Sequence, residues 1–219
     1  MAKGITRAQI VAAALAVLDE KGIDAVTVRA VAARLDIKAP ALYWHVRDKQ
    51  DLLDEMGTEI QRRVQATLGS TPASGWRTGL TTYAHALRAE YLAHRDGART
   101  FSGTRLTDPE VLRAQEPWLA QWTATGLDVQ QAVDAAEVVT AFVVGFVIEE
   151  QERAQSAELD PARYSVAERD AALGDDVPLV RAAGHRDDGD QRFARQLDMV
   201  MSGLQATLQP KHEKEITNT

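Results

Sequence analysis

The chain has 219 residues, of which 45% are hydrophobic and 26% charged, which suffices for one large or two small globular domains. It contains no cysteine, which excludes disulfides, thiolate metal sites and a cysteine nucleophile, so a reducing cytoplasm is the expected location. No apolar run reaches the roughly 18 residues of a membrane span, and the N-terminal MAKGITRAQI is no secretory signal, so no membrane partner is expected.

The net charge of −7 is distributed unevenly along the chain. Residues 1–50 carry eight Lys and Arg against five Asp and Glu, a net +3, which leaves −10 for the other 169 residues. A basic end on an acidic remainder is expected when only that end approaches phosphate.

The hydrophobic pattern predicts helices throughout, so the expected fold class is all-α. In the N-terminal part, the predicted capping and turn residues are Thr6, Gly22, Thr27, Asp36 and Asp48. The helices that they delimit cover 7–21, 28–35, 39–45 and 49–68, with Pro40 acceptable in the first turn of the third.

A linker of composition GSTPASG at 69–75 separates these helices from the rest. Further helices are predicted at 76–94, 96–101, 108–125, 128–153 and 190–208. The polar stretch 155–176 is expected to be a mobile loop with at most a helical turn. The pattern therefore predicts a small N-terminal module that the fourth helix joins to a larger helical body.

The segments VRAVAARL, DI and KAPALYWHV form a helix-turn-helix pattern, with Val31, Ala32, Leu35, Ile37, Leu42 and Val46 directed inward. Tyr43, Trp44 and His45 are consecutive, so on a helix they point about 100° apart and cannot all enter one core. They are left on the exposed flank, where a recognition helix presents side chains to the major groove. A small three-helix unit whose rings fill gaps is the alternative at this point.

The stretch LDEKGIDAVTVRAVAARLDIKAPALYWHVRDKQDLLDEM resembles the DNA-binding domain of the TetR family, and LYWHV is typical of its tetracycline-repressor branch. The segments AHRDGARTFSGTR, GFVIEEQE and MVMSGLQATL resemble the same branch in order and spacing. The resemblance implies a homodimeric, ligand-responsive regulator, most often a repressor, that binds palindromic double-stranded operator DNA. It implies a helix-turn-helix DNA-binding domain at 1–50 and a ligand-binding and dimerisation domain at 51–209. The polar tail at 210–219 is expected from its composition to be disordered.

The predicted DNA contacts follow from side-chain chemistry and from this resemblance. Arg29 and Lys38 can each reach a guanine edge or a phosphate. Ala39 and Ala41 offer only methyl groups where tetracycline repressors carry polar residues, so a different operator sequence is expected. The resemblance assigns the aromatic residues and the last lysine to sugar-phosphate contacts. The full predicted set is Thr27, Arg29, Lys38, Ala39, Pro40, Ala41, Tyr43, Trp44, His45 and Lys49.

The resemblance also implies a ligand pocket in the body. Its predicted residues are Gln65, Tyr83, Leu87, Phe101, Thr104, Arg105, Trp118 and Glu149. Phe101 stands where the tetracycline branch has a metal-ligating histidine, and phenylalanine cannot bind a cation. No metal and no cofactor are therefore expected, and magnesium-tetracycline is disfavoured relative to a hydrophobic or aromatic effector. Glu149 is expected to point inward.

The helix that contains AAEVVTAFVVGFVI is apolar on nearly every side, so it must face its own core and something else. The resemblance favours a four-helix bundle in which this helix and the last one pair with their symmetry mates, through Leu197, Val200, Met201 and Leu204. Gly145 and Gly203 would permit close approach. The alternative is a central helix in a large monomer.

His94, Arg95 and Asp96 match the start of a kinase catalytic loop, but no glycine-rich loop and no Asp-Phe-Gly accompany them. We therefore expect a helix-ending turn and no enzymatic activity. A transcriptional activator and a DNA-binding protein without an effector would share the features described so far, and both stay open.

Overall fold

The computed structural model describes residues 4–69, 75–185 and 189–208. Every regular element in these ranges is helical, which confirms the all-α prediction. The N-terminal elements are α1 (Arg7–Lys21), a 3-10 turn (Ile23–Ala25), α2 (Val28–Arg34), α3 (Ala39–Leu42) and α4 (Lys49–Leu68). The following elements are α5 (Trp76–Leu92), α6 (Gly97–Phe101), α7 (Pro109–Arg113), α8 (Glu116–Ala124), α9 (Val129–Leu159), α10 (Val166–Leu173), α11 (Pro178–Ala183) and α12 (Gly189–Thr207). The predicted tail and residues 70–74 of the predicted linker lie outside the described residues.

The N-terminal caps form as local side-chain chemistry predicts. Thr6 and Gln9 make a reciprocal capping box at the start of α1, in which each side chain accepts a hydrogen bond from the other residue's backbone N–H. Thr27 caps α2 by accepting the Ala30 N–H, and Asp48 caps α4 by accepting the Asp51 N–H. Asp36 adopts the left-handed conformation, with φ of 54°, in the turn between α2 and α3. These caps confirm the predicted helix starts.

Two predicted helices are wrong in extent. The helix predicted at 39–45 ends at Leu42, whose carbonyl accepts both the His45 and Val46 N–H groups in a final turn. The aromatic and β-branched residues that follow have modest helix propensity, and the chain must turn there to start α4. The helix predicted at 108–125 is divided into α7 and α8, because Pro117 has no N–H to continue the hydrogen-bond ladder and instead occupies the first turn of α8.

The loop predicted at 155–176 is also wrong, since α9 extends to Leu159 and α10 and α11 follow. The stretch 149–158 is polar but consists largely of Glu, Gln, Arg and Ala, which are good helix formers. Ser165 caps α10 by accepting a hydrogen bond from the Glu168 N–H at 3.2 Å, and Pro178 opens α11. Polarity excluded burial here but did not exclude helix.

Helices α1 to α3 form a head, α5 to α12 form a body, and α4 belongs to both. Met56, Ile60 and Val64 on α4 are buried, as is Leu18 of α1. Helix α5 lies between α4 and α9, while α12 packs on α9 and α5. Because α4 is 20 residues long, it spans about 30 Å and links the head to the body as one rod.

By length and composition alone, α9 is the one helix in the described ranges that could cross a membrane. In the fold, Val139, Val143 and Val147 lie in the core, whereas Val138 is exposed. This division is typical of a helix that packs on its own domain on one side and on a second protein surface on the other. The prediction that Leu197 and Met201 of α12 contact a symmetry mate was wrong, because both are buried within the protomer.

Candidate DNA interface and ligand pocket

The helix-turn-helix forms as predicted, with Val31, Ala32, Leu42 and Val46 buried between its helices. Trp44 is 90% exposed and Tyr43 is 50% exposed. A large ring with so little contact cannot be filling a gap, so the alternative of a purely structural packing unit does not account for these residues. The two rings lie on an outward surface beside α3.

The other predicted DNA-contacting residues lie on or near this surface. Ala39 and His45 are half-buried, and Thr27 uses its hydroxyl to cap α2. Lys49 donates a hydrogen bond from Nζ to the Ile23 carbonyl at 2.9 Å, so it also ties α4 to the head. The exposed members of the set are Thr27, Arg29, Lys38, Pro40, Ala41, Tyr43, Trp44 and Lys49.

The basic side chains near this surface are of two kinds, those that are paired with an acid and those that are not. Arg47 donates to the carboxylate of Asp51 through Nε at 2.6 Å and through a terminal nitrogen at 2.7 Å. These hydrogen bonds lower the pKa of the Asp51 carboxyl to about 2. Arg29 and Lys38, in contrast, make no ion pair with any residue that the structure describes. Their charges are therefore free for phosphate or base edges.

A cavity of about 760 Å³ lies in the body between α4, α5, α6, α8 and α9, large enough for a drug-sized molecule. Its walls are strongly aromatic. Phe101 stacks on Tyr91 with ring centroids 5.9 Å apart, and Trp118 meets Trp122 edge to face at 6.5 Å. Tyr83 completes the aromatic lining.

Six of the eight predicted pocket residues line this cavity, namely Gln65, Tyr83, Leu87, Phe101, Thr104 and Trp118. Arg105 does not, since its side chain is 66% exposed and donates from Nε to the buried carboxylate of Asp54 at 2.9 Å. Glu149 does not point inward as predicted; its side chain is 70% exposed and lies 3.9 Å from Arg153. A buried acid therefore determines where Arg105 points, and the helical position of Glu149 turns it to solvent.

Several lining residues were missed from the sequence, namely Gln61, Tyr91, Gln115, Trp122 and Glu137. Two of them could have been predicted from helical spacing. Gln61 lies one turn before Gln65 on α4, and Glu137 lies on the α9 stripe that carries Val133 and Thr140. Stripes at this spacing share a face, so one pocket residue predicts its neighbours.

Most polar groups in the cavity already have partners. Thr140 donates to the Ala136 carbonyl at 2.8 Å, so in its 3.2 Å contact with Tyr83 the phenol is the donor. Gln65 donates to the Val111 carbonyl at 2.8 Å. Burial raises the pKa of the Tyr83 phenol, and the same holds for Tyr91, so both rings stay neutral. The pocket is largely apolar, with a few uncharged polar groups and one carboxylate, Glu137, among its described lining residues.

The described part of the chain contains no group of three His, Cys, Asp or Glu side chains placed to hold a metal. Magnesium prefers several oxygen ligands in octahedral geometry. Phe101 supplies no ligand atom, and Glu137 is the single carboxylate among the lining residues of the described ranges. The lining does not fit a magnesium site made by the protein.

The HRDG turn (residues 94–97) joins the body to the head. His94 Nδ1 lies 2.9 Å from Asp19 Oδ1 on α1. Asp96 Oδ2 accepts the Ile23 N–H of the head at 3.0 Å, and its Oδ1 accepts from Gln155 of α9 at 2.8 Å. The two side chains that resemble a catalytic motif are thus used in contacts between domains.

This turn also borders the pocket. The His94 ring meets the Phe101 ring edge to face, with centroids 6.1 Å apart. On the head side, Gly22 has φ of +77°, and an added Cβ would lie 2.7 Å from Asp96 Oδ2, so glycine is required on two grounds. The turn therefore contacts both a residue of the cavity wall, Phe101, and the head.

A second cavity of about 460 Å³ lies between α1 and α4. Its charged side chains pair with one another: Arg7 lies 3.0 Å from Glu55, and Arg62 lies 2.9 Å from Asp108. Exposed pairs of this kind contribute little and need no ligand to balance their charge. The aromatic cavity is thus the candidate ligand site.

An exposed helix-turn-helix on a helical body with an aromatic cavity defines a DNA-binding regulator with a sensory domain. Residues 10–56 match the family model described as "Bacterial regulatory proteins, tetR family", and residues 68–208 match "Tetracyclin repressor-like, C-terminal domain". The chain belongs to the TetR family of bacterial regulatory proteins, with a C-terminal domain of the tetracycline-repressor type.

Individual relatives agree with this assignment. Tetracycline repressor protein class D of Escherichia coli is 34% identical over 210 residues, which cover 93% of this chain and 91% of that protein. A possible TetR family transcriptional regulator from Streptomyces coelicolor A3(2) has a solved structure that is 32% identical, with a TM-score of 0.73 and coverage of 92% and 100%. The structure of TetR(class A) in complex with 5a,6-anhydrotetracycline and magnesium is 31% identical, with a TM-score of 0.65 and coverage of 91% and 97%.

Proposed function

We propose that this protein is a homodimeric transcriptional repressor, acting in the cytoplasm, that leaves its operator when a hydrophobic or aromatic small molecule enters the cavity. The observation that carries the proposal is the position of the HRDG turn. It contacts a pocket wall through Phe101 and the head through Asp19 and Ile23. A ligand that displaces this wall acts on groups that hold the head.

The DNA contacts divide into two classes. Arg29 and Lys38, which make no ion pair with any described residue, reach base edges or phosphates. Tyr43, Trp44 and Lys49 hold the sugar-phosphate backbone and set the orientation of the head. Ala39, Pro40, Ala41 and His45 complete the surface with methyl, ring and imidazole contacts, and Thr27 holds the start of α2. The exposure of Trp44 and the lack of an ion pair between Arg29 and any described residue support this division.

The dimer forms through the open face of α9 and α12. Val138 is 47% exposed and Met199 is 65% exposed, although both are large and apolar. A Cβ added at Gly203 of α12 would meet nothing within 4 Å among the described residues of the protomer, which leaves room for a second helix to approach. Two heads related by a two-fold axis then bind a palindromic operator, with their recognition helices about 34–36 Å apart.

Release follows from the contact between α6 and α4. A Cβ added at Gly57 of α4 would overlap Thr104 Oγ1, so the segment after α6 lies directly against α4. A ligand that moves Thr104 must therefore move α4. Because α4 is a rod of about 30 Å, a tilt of about 5° displaces its far end by about 2.6 Å and spoils the spacing of the heads. A 100-fold loss of operator affinity requires about 2.7 kcal/mol of differential ligand affinity.

Release needs no magnesium in this proposal. A similar structure holds 5a,6-anhydrotetracycline together with magnesium. Here Phe101 cannot ligate a cation, and Glu137 is the one carboxylate among the described lining residues, so the protein itself offers few of the oxygen ligands that magnesium takes. No enzymatic role is proposed either, since His94 and Asp96 are both engaged with the head or with α9.

The test begins with selection of operator DNA from a random pool. Binding of the selected site is then measured by fluorescence anisotropy, with tetracycline plus magnesium, with tetracycline plus a chelator, and with uncharged fused-ring aromatic compounds. We expect release by aromatic compounds regardless of chelator. Magnesium-dependent release by tetracycline at low concentration would contradict the proposal, as would failure of every compound to release DNA.

A further inference from the structure

The side chains of α3 offer DNA no hydrogen bond. This helix consists of Ala39, Pro40, Ala41 and Leu42. None of these side chains contains a donor or an acceptor. Pro40 and Ala41 are exposed, Ala39 is half-buried and Leu42 is buried. The groups that α3 can present to a base pair are therefore a pyrrolidine ring and one or two methyl groups.

The backbone of α3 adds little to this surface. Pro40 has no N–H, and the Ala41 N–H already donates to the Lys38 carbonyl at 2.9 Å. The nearest exposed polar side chains in the sequence are Lys38, which precedes the helix, and Tyr43, which follows it. Helix α3 itself must therefore distinguish base pairs without side-chain hydrogen bonds.

Apolar side chains can distinguish base pairs through the 5-methyl group of thymine, which lies in the major groove. A polar base edge that is covered by Pro40 and Ala41 loses water without gaining a partner, and this loss is unfavourable. A methyl group in the same place is buried against the alanine methyl group and the proline ring, which is favourable. Both effects select for a pyrimidine that carries a 5-methyl group.

We propose that Pro40 and Ala41 read the 5-methyl group of a pyrimidine and not the hydrogen-bonding pattern of its base pair. This readout rests on the proposed function, because it uses the operator surface of the same head. On such a surface 5-methylcytosine is equivalent to thymine, whereas uracil and cytosine both lack the group that is recognised. Methylation of a cytosine at the contacted position therefore creates a favourable contact with the protein.

The test replaces the thymines of the selected operator one position at a time, in both half-sites together. Affinity for the full-length protein is measured by fluorescence anisotropy with thymine or uracil opposite adenine, and with 5-methylcytosine or cytosine opposite guanine. We expect at least one position at which thymine and 5-methylcytosine bind alike and both bind more tightly than uracil and cytosine. One buried methyl group corresponds to about fourfold in affinity, so a symmetric duplex that lacks two should bind about 15-fold more weakly.

The Ala41→Gly variant removes the methyl group on the protein side and should reduce the difference between thymine and uracil at that position. Ala33→Gly is the matched control, because Ala33 is an exposed alanine of α2 and its replacement carries the same cost of glycine in a helix. The control should change the affinity for all four duplexes by the same factor.

Three outcomes would overturn the inference while an operator is still bound: thymine and uracil bind alike at every position, 5-methylcytosine binds no better than cytosine, or Ala41→Gly leaves the difference unchanged. A selected operator without thymine in its half-sites would overturn it as well. Failure to select any operator would refute the proposed function together with this readout. Release by aromatic compounds from an operator that is insensitive to methyl groups would refute the readout alone.

Discussion

The Asp96→Asn substitution is expected to uncouple the pocket from the head. The Asp96 carboxylate accepts one hydrogen bond from the Ile23 N–H at 3.0 Å and one from Gln155 at 2.8 Å. Asparagine has nearly the same shape and tolerates the left-handed backbone that Asp96 adopts, with φ of 54°. It has one acceptor oxygen in place of two, so one of the two donors loses its partner.

The loss of one charge-assisted hydrogen bond in a partly buried site should cost about 1.5 kcal/mol. If this bond transmits the response, a wild-type release of about 100-fold, or 2.7 kcal/mol, falls to about tenfold in the variant. Operator affinity is measured by anisotropy with and without the tightest-binding aromatic probe, and thermal unfolding is followed in parallel. Asp24→Asn serves as the control, because Asp24 is an exposed acid of the 3-10 turn in the head that also contains Ile23.

The refuting result is specific. If Asp96→Asn lowers the Tm but leaves the ligand-induced fold-change in operator affinity at its wild-type value, the bond only stabilises the contact between head and body. Equal effects of Asp24→Asn and Asp96→Asn would show that the variants act through net charge.

Three further predictions concern the contact between Thr104 and α4, the DNA surface and the dimer. Gly57→Ala should lower operator affinity several-fold in the absence of any ligand, because the added methyl group overlaps Thr104 and displaces α4. Adding Thr104→Ala should restore part of the loss. Unchanged operator affinity in Gly57→Ala would contradict the proposed coupling between Thr104 and α4. Arg29→Ala should reduce the slope of log affinity against log salt by about one. Arg47→Ala should change this slope little, because the Arg47 guanidinium is already bound to Asp51 in the wild-type protein. Equal slopes for the two variants would contradict the distinction between the free and the paired arginine. Met199→Glu should give monomers or aggregates by light scattering, since Met199 is 65% exposed on the open face of α12, and a stable dimer would place the interface elsewhere.

Local chemistry was sufficient to predict where the helices of the head begin. Thr6, Thr27 and Asp48 cap their helices through atoms a few residues away, so the sequence alone specifies these contacts. The division at Pro117 was also accessible, because a proline inside a predicted helix removes a backbone donor. The helices after residue 155 were missed because polarity was taken to exclude helix, when it excludes only burial.

The pocket was less predictable because its side chains depend on residues distant in sequence. Arg105 points away from the cavity because Asp54, 51 residues earlier, is buried and accepts its hydrogen bond. The contact between His94 and Asp19 spans 75 residues, and no local pattern indicates it. Resemblance to a family identified pocket positions, but it did not give the direction of each side chain.

The position of the HRDG turn has a consequence for how such a regulator can diversify. Residues that line the cavity, such as Trp118 and Thr140, lie on α8 and α9, whereas the bonds to the head come from His94 and Asp96 on a separate segment. In the proposed mechanism, mutations on α8 and α9 can therefore alter which compound is recognised without touching the contacts between the HRDG turn and the head. A duplicated gene would acquire a new chemical signal by changes on two helices while it inherited a working switch.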